Sequence, residues 1–156
     1  MAAFRKKRSG KIGLPPGTPV YIGERKTDRV ALRVIDYDED YVRERFVDDI
    51  RDDLVAPPKS GVRWVDLVGL HDLDVLKSVA GGFGLHPLVV EDIANTGQRP
   101  KVEDYGDYLY IVFKMLTYQG KVDVDSEQVS VVLGRNFAIS FQEREGDVFE
   151  PIRERI

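Results

Sequence analysis

The segment YLYIVFKMLTY, Tyr108–Tyr118, carries the strongest β-strand pattern in this chain. Side chains alternate across a strand, so Leu109, Ile111, Phe113 and Met115 share one face, and Tyr108, Tyr110, Val112 and Leu116 share the other. A strand that is apolar on both faces is expected near the centre of a sheet covered on both sides. Working outward, residues 127–133 and 137–142 read as a β-hairpin closed by the three-residue loop Gly134-Arg135-Asn136. Upstream, residues 30–36 (VALRVID) and 62–68 (VRWVDLV) are strands rich in β-branched residues. In the second of these, Val65 and Leu67 fall on one face and Trp64 on the other. Residues 56–61 (APPKSG) form a loop, whereas residues 40–55 have mixed periodicity that separates neither helix nor strand.

Helices fall between the strands. Asp72 is a good N-cap, and Leu73, Leu76, Val79, Ala80 and Phe83 follow at helical spacing until Gly81, Gly82 and Gly84 end the run. Pro87 suits the first position of a second, short helix, because a missing N–H costs nothing there; Gly97 and Pro100 stop it. The Leu14-Pro15-Pro16-Gly17 sequence reads as a turn leading into structure. A last helix is expected over residues 147–156, with Asp147 and Glu150 near its positive end and Pro151 in its first turn. Helices of about ten residues are marginal alone, and Arg153-Glu154-Arg155 still follows the helical pattern, so Ile156 is expected to lie inside a longer helix.

The 156 residues are 42% hydrophobic and 32% charged, the composition of an ordinary globular domain. With no cysteine, a disulfide scaffold, a thiolate metal site and a cysteine nucleophile are all excluded, which fits a reducing compartment. The longest apolar run, residues 108–113, falls far short of the roughly 20 residues that span a bilayer, and no N-terminal stretch resembles a signal peptide. A soluble chain is expected.

Charge is unevenly divided. Residues 1–12 hold Arg5, Lys6, Lys7, Arg8 and Lys11 with no acid, so the remainder carries a net −9 beneath the overall −4. A basic arm over residues 1–13 reads as a flexible, solvated terminus, with phosphate or anionic-lipid binding as the alternative. The acidic body makes nucleic acid an unsuitable partner. Nine acids against three arginines between Asp36 and Asp53 read as a solvated face or a weak divalent-cation surface.

Most catalytic and binding motifs are missing. The run Asp36-Tyr37-Asp38-Glu39-Asp40 starts like a calcium loop, but its sixth position is Tyr41 and its twelfth Val47; the run from Asp123 fails likewise at Gln128 and Gly134. No phosphate-binding P-loop, GxSxG elbow or HExxH pair occurs, and Gly82-Phe83-Gly84 ends a helix rather than opening one. His71 and His86 lack metal-ligand spacing and read as turn or capping residues. No residue set supports an enzyme.

Glu91 and Asp92 stand out on the short helix. At 100° per residue, Val89, Val90, Ile93 and Ala94 share one arc, while Glu91, Asp92, Asn95 and Leu88 occupy the other. The two carboxylates should therefore be exposed, either as a solvated face or as oxygen ligands for a hard, hydrated ion such as Mg²⁺.

These residues belong to a recognisable pattern. GLHPLVVEDIANTGQRPKVE (residues 84–103) resembles the cytoplasmic N-terminal domain of CorA-type magnesium/cobalt transporters. So do YGDYLYIVFKMLTY, SEQVSVVLGRNFAISFQERE and GDVFEPIRERI downstream, and GLPPGTPVYIG upstream, covering most of residues 13–156 in register. The resemblance implies an α/β/α sandwich around a mixed parallel and antiparallel sheet over residues 14–146, with residues 147–156 starting a long stalk helix. It further implies two transmembrane helices beyond the stalk, the first ending in Gly-Met-Asn, and a homopentamer whose N-terminal domains form a funnel at the cytoplasmic face of the membrane. By the same resemblance, Asp92 maps onto an inter-subunit divalent-cation site, Glu91 lies near a second site, and the Leu14 backbone contributes. The partner carboxylate would come from the stalk of a neighbouring protomer. Mg²⁺ is the implied regulatory ion, with Co²⁺ also accepted, and the implied function is sensing of intracellular Mg²⁺ to gate a pore outside this chain. Two other readings remain open: a free-standing interaction module with an acidic surface, and the domain of a zinc-transporting relative.

Overall fold

The computed structural model describes residues 13–47, 56–118, 120, 124–146 and 149–156. The basic arm and the later part of the acidic stretch, from residue 48 on, lie outside the described residues, as do positions 147 and 148. Seven strands form one sheet: β1 (Ala31–Tyr37), β2 (Val42–Phe46), β3 (Val62–Val68), β4 (Lys101–Asp104), β5 (Tyr108–Tyr118), β6 (Val124–Gly134) and β7 (Phe137–Gln142). Their order is β2-β1-β3-β7-β6-β5-β4. Every pairing is antiparallel except β3 with β7, so the sheet is mixed, as expected.

The parallel pair dictates the layering. Parallel neighbours require a crossover, and helices α1 (Leu73–Gly82) and α2 (Pro87–Ala94) lie within the connection that leaves β3. Leu76, Val79 and Ala80 of α1, with Val89, Val90, Ile93 and Ala94 of α2, pack in one core with Val34, Val65, Leu67, Tyr110, Val132, Ile139 and Phe141 of the sheet.

The caps follow the sequence closely. Asp72 caps α1 by accepting from the Asp74 and Val75 amides, at 3.0 and 3.2 Å. At the other end the Leu85 amide donates to Ala80 O and the Gly84 amide to Gly81 O. That double closure needs a left-handed residue, and Gly84 supplies it with φ +65°. His86 is the N-cap of α2, its Nδ1 accepting from the Leu88 amide at 3.2 Å, with Pro87 following.

On the opposite face the helix α3 (Glu150–Arg153) begins after Phe149, whose ring meets Trp64 edge-on at 5.6 Å. Arg153 lies over the same indole and 3.5 Å from Asp66. Beneath it, Trp64 Nε1 donates to Ser140 Oγ, and Ser140 Oγ donates to Asp66 Oδ1.

Three expectations need correction. Strand β5 is next to the sheet edge, between β4 and β6, and only Tyr108, Tyr110 and Val112 on its helix-facing side are buried. Leu109 is exposed and Ile111, Phe113 and Met115 are half-buried, because α3 covers the β3 end of the second face and not the β5 end. The hairpin turns through two residues, Arg135 and Asn136, since Gly134 continues β6. A Cβ on Gly134 would fall 2.1 Å from the Phe137 ring, so any larger residue there would have to displace that ring. Asp36 is not on a solvated face: it is buried against Arg63 Nε at 2.5 Å and also pairs with Arg45.

The carboxylate site on helix α2

Glu91 and Asp92 project from the half of α2 that faces away from the core, but neither is free in solvent. Both are half-buried, and each carboxylate is engaged, which corrects the exposure expected from helical spacing. The two point at different neighbours.

Glu91 reaches the N-terminal segment, its Oε2 accepting from the Gly17 amide at 2.7 Å. Gly17 is the third residue of a turn closed by the Thr18 amide on Pro15 O, with φ +81°. Proline before a positive-φ glycine is the signature of a type II turn. The segment then runs alongside α2. The Ile22 amide donates to Ala94 O at 2.9 Å, and the Thr96 amide donates back to Ile22 O at 3.1 Å. The turn that follows Leu14 is thereby strapped to the helix that carries Glu91, and Leu14 itself is exposed.

Asp92 faces the sheet edge. Its Oδ1 accepts from Gln98 Nε2 at 2.7 Å, and its Oδ2 lies 2.5 Å from Lys101 Nζ on β4. Lys101 is shared: its ammonium also lies 2.7 Å from Glu103 Oε1, and above the Tyr110 ring at 5.4 Å. Tyr105 donates to Glu103 Oε2 at 3.2 Å. Burial opposes the charge on Lys101, but the hydrogen bonds to Asp92 and Glu103 outweigh it and raise its pKa above the ordinary lysine value. The same ammonium holds Glu103 below the usual carboxylate range.

A buried amide fixes the helix end beneath these side chains. Gln128 on β6 is fully buried. Its Nε2 donates to Asp92 O and Asn95 O, at 3.4 and 3.2 Å. Its Oε1 accepts from the Gln98 amide at 2.9 Å and from Lys114 Nζ at 3.2 Å. Lys114 also donates to Thr96 O at 2.8 Å. The last turn of α2 leaves carbonyls short of helical partners: the Asn95 amide serves Asp92 O, the Ile22 amide serves Ala94 O, and Gln128 on the sheet adds a donor to Asp92 O and Asn95 O. The Asp92 backbone is thus anchored, while its carboxylate meets partners that solvent reaches: the Asp92 side chain is 24% exposed and Lys101 26%.

Glu127 and Glu143 are consumed internally. Glu127 accepts from the Glu143 and Arg144 amides, and Glu143 accepts from the Gln128 amide at 2.6 Å while pairing with Lys26. Among the described residues, no group of three or more His, Cys, Asp or Glu side chains comes together to hold a metal ion. The donors on α2 are carboxylate oxygens, which suits a hard ion that keeps most of its water and takes one or two carboxylates. The structure brings Gly17, in the turn that follows Leu14, to Glu91, and sets Asp92 apart on Lys101. Sequence reading missed Lys101, Gln98 and Gln128; the first two lie in the QRPK run, close in sequence to Asp92 but reaching it only through the chain's return along the sheet edge.

Among the described residues, no helix is long and apolar enough to cross a membrane. The model of the family "CorA-like Mg2+ transporter protein" matches residues 59–156. The chain is 45% identical over 152 residues to the "Cobalt/magnesium transport protein CorA" of Thermotoga maritima, covering 97% of this chain and 43% of that protein. Its fold is similar to the soluble domain of CorA from Methanocaldococcus jannaschii, with a TM-score of 0.51, 13% identity, and coverage of 81% of this chain and 45% of that one. It is likewise similar to the ZntB cytoplasmic domain from Vibrio parahaemolyticus, with a TM-score of 0.58, 12% identity, and coverage of 80% and 48%. The chain spans less than half the length of each of these proteins.

Proposed function

The chain belongs to the CorA-like Mg²⁺ transporter family, and on that premise we propose that it is the regulatory domain of a Mg²⁺ and Co²⁺ transporter. It senses intracellular Mg²⁺ from the cytoplasmic face of the membrane through carboxylates shared between neighbouring copies in a homopentamer. Asp92 is the principal ligand, Glu91 serves a second, nearby position, and the Leu14 turn adds a backbone contact.

The observation that supports this most is the state of Asp92. Its backbone is anchored by the buried Gln128, and its carboxylate is about a quarter exposed and already holds a cation, the Lys101 ammonium. A carboxylate built this way can exchange one cation for another without unfolding its helix. Glu91 holds the Leu14 turn through Gly17, so a contact at either acid is transmitted to the N-terminal segment.

Bound Mg²⁺ supplies a double positive charge that neutralises carboxylates facing each other across a subunit boundary. Without it, like charges at about 4 Å repel by roughly 1 to 4 kcal/mol in a watery interface. The protein's part is to set Asp92 rigidly at that boundary, so that loss of neutralisation loosens the contact between copies rather than only the side chain. A ligand that prefers the tighter arrangement shifts the population toward it, and a pore joined to the domain reads the shift as closure.

The test replaces the matching 152 residues of the Thermotoga maritima relative with this chain and follows ion influx. Influx that Mg²⁺ inhibits, with inhibition weakened by Asp92→Ala, is expected. Inhibition of the same strength in both versions would remove Asp92 from the sensing role.

A further inference from the structure

Lys101 sits where a competing ion would have to come. Its Nζ lies 2.5 Å from Asp92 Oδ2 and 2.7 Å from Glu103 Oε1, so one ammonium bridges an α2 carboxylate and a β4 carboxylate. We propose that Lys101 is a tethered competitor for the Asp92 carboxylate, occupying it when divalent cation is scarce and moving onto Glu103 when the ion arrives. The proposal rests on the reading of Asp92 as a divalent-cation ligand and adds what sets its affinity.

Three features support exchange rather than a permanent ion pair. Glu103 remains as a partner after Lys101 leaves Asp92, with Tyr105 holding its second oxygen at 3.2 Å, so release does not strand a charge. The Tyr110 ring beneath Nζ, 5.4 Å from its centroid, favours a cation beside Glu103 as well as beside Asp92 at the position the ammonium now holds. The pair is partly solvated, at 24% and 26% exposure, and ion pairs in that setting are weak enough to break. Gln98 Nε2 on Asp92 Oδ1 and Gln128 under the helix keep the carboxylate in place throughout. The lysine therefore lowers the affinity of Asp92 for any cation and raises the concentration at which the site fills.

The experiment is a Mg²⁺ titration of the 156-residue chain followed by NMR, in four forms: the unsubstituted chain, Lys101→Gln, Lys101→Arg and Asp92→Asn. Removing the competing charge should tighten Mg²⁺ binding by about tenfold, while Lys101→Arg, which keeps the charge, should bind within about threefold of the unsubstituted chain. The side-chain Cε resonance of Lys101 should shift as Mg²⁺ fills the unsubstituted site, and stay still in Asp92→Asn. That resonance reports exchange even if Lys101→Gln folds poorly. Binding that depends on Asp92 but is unchanged or weaker in Lys101→Gln, or that leaves the Lys101 resonance unmoved, overturns the competitor role alone. No binding that depends on Asp92, in either the unsubstituted chain or Lys101→Gln, overturns the ligand reading and the competitor role with it.

Discussion

The Gly17 amide donates to Glu91 Oε2 at 2.7 Å, joining residues 74 apart in sequence. Together with the Ile22–Ala94 and Thr96–Ile22 bonds it fixes the N-terminal turn to the helix on which the acidic pair stands, and it makes the turn's geometry testable through stability. Gly17 has φ +81°, and a Cβ there would lie 2.8 Å from Pro87 Cβ. Gly17→Ala should therefore cost more than about 1 kcal/mol, from backbone strain and from the clash together. Glu91→Ala should cost about 1 to 2 kcal/mol, since it leaves a half-buried amide unpaired. Urea unfolding would show both, and an unchanged midpoint in Gly17→Ala would mean that the turn does not dock on Pro87.

Gln128 should be the most sensitive polar residue near the site. It is fully buried and serves two carbonyls, one amide and one lysine. Gln128→Leu keeps much of the volume but strands these groups, so a loss of about 2 to 4 kcal/mol is expected. Thermal unfolding measures it; a chain this size shifts by about 2 to 4 °C per kcal/mol. A melting temperature within a degree of the unsubstituted chain would show that the end of α2 finds other partners.

Alkaline pH should weaken the fold through Tyr21. Burial, followed by the charges of Glu143 and Glu24, pushes its hydroxyl up from 10.0 to about 12. A raised pKa favours the protonated form in the fold, so this contribution is complete below pH 10 and disappears as pH rises toward 12. Tyr21→Phe should be less sensitive than the unsubstituted chain over that interval. Parallel stability curves from pH 9 to 12 for the two proteins would contradict the assignment.

Local signals in the sequence translated well into structure, and signals that depend on distant coverage did not. The Asp72 and His86 caps, Pro87 and Gly84 each act within a few residues, and each sits where spacing places it. The fold class followed from the alternation of strands and helices together with the family resemblance. Strand β5 was different. Its apolar residues on both faces suggest burial on both, yet burial depends on what lies across the sheet, and α3 reaches only the Trp64 end. The acidic pair shows the same limit. A 100° projection finds the arc opposite the core, but the strap at residues 17–22 and the edge lysine come from elsewhere in the chain to cover it. Gln128 gave no signal, because a glutamine in an alternating strand looks like an outward polar residue until a helix end is placed above it.

The most direct measurement is the location of a bound divalent ion. Mn²⁺ added in small steps to the isotopically labelled chain broadens the amide resonances nearest to it. The expected result is early loss of the signals of Glu91, Asp92 and Ile93, followed by those of Leu14 and Gly17, with the broadening reversed by excess Mg²⁺ and abolished by Asp92→Asn. Broadening that starts instead at the acidic turn of residues 38–40, or that spreads evenly over the surface, would contradict a sensing site on α2.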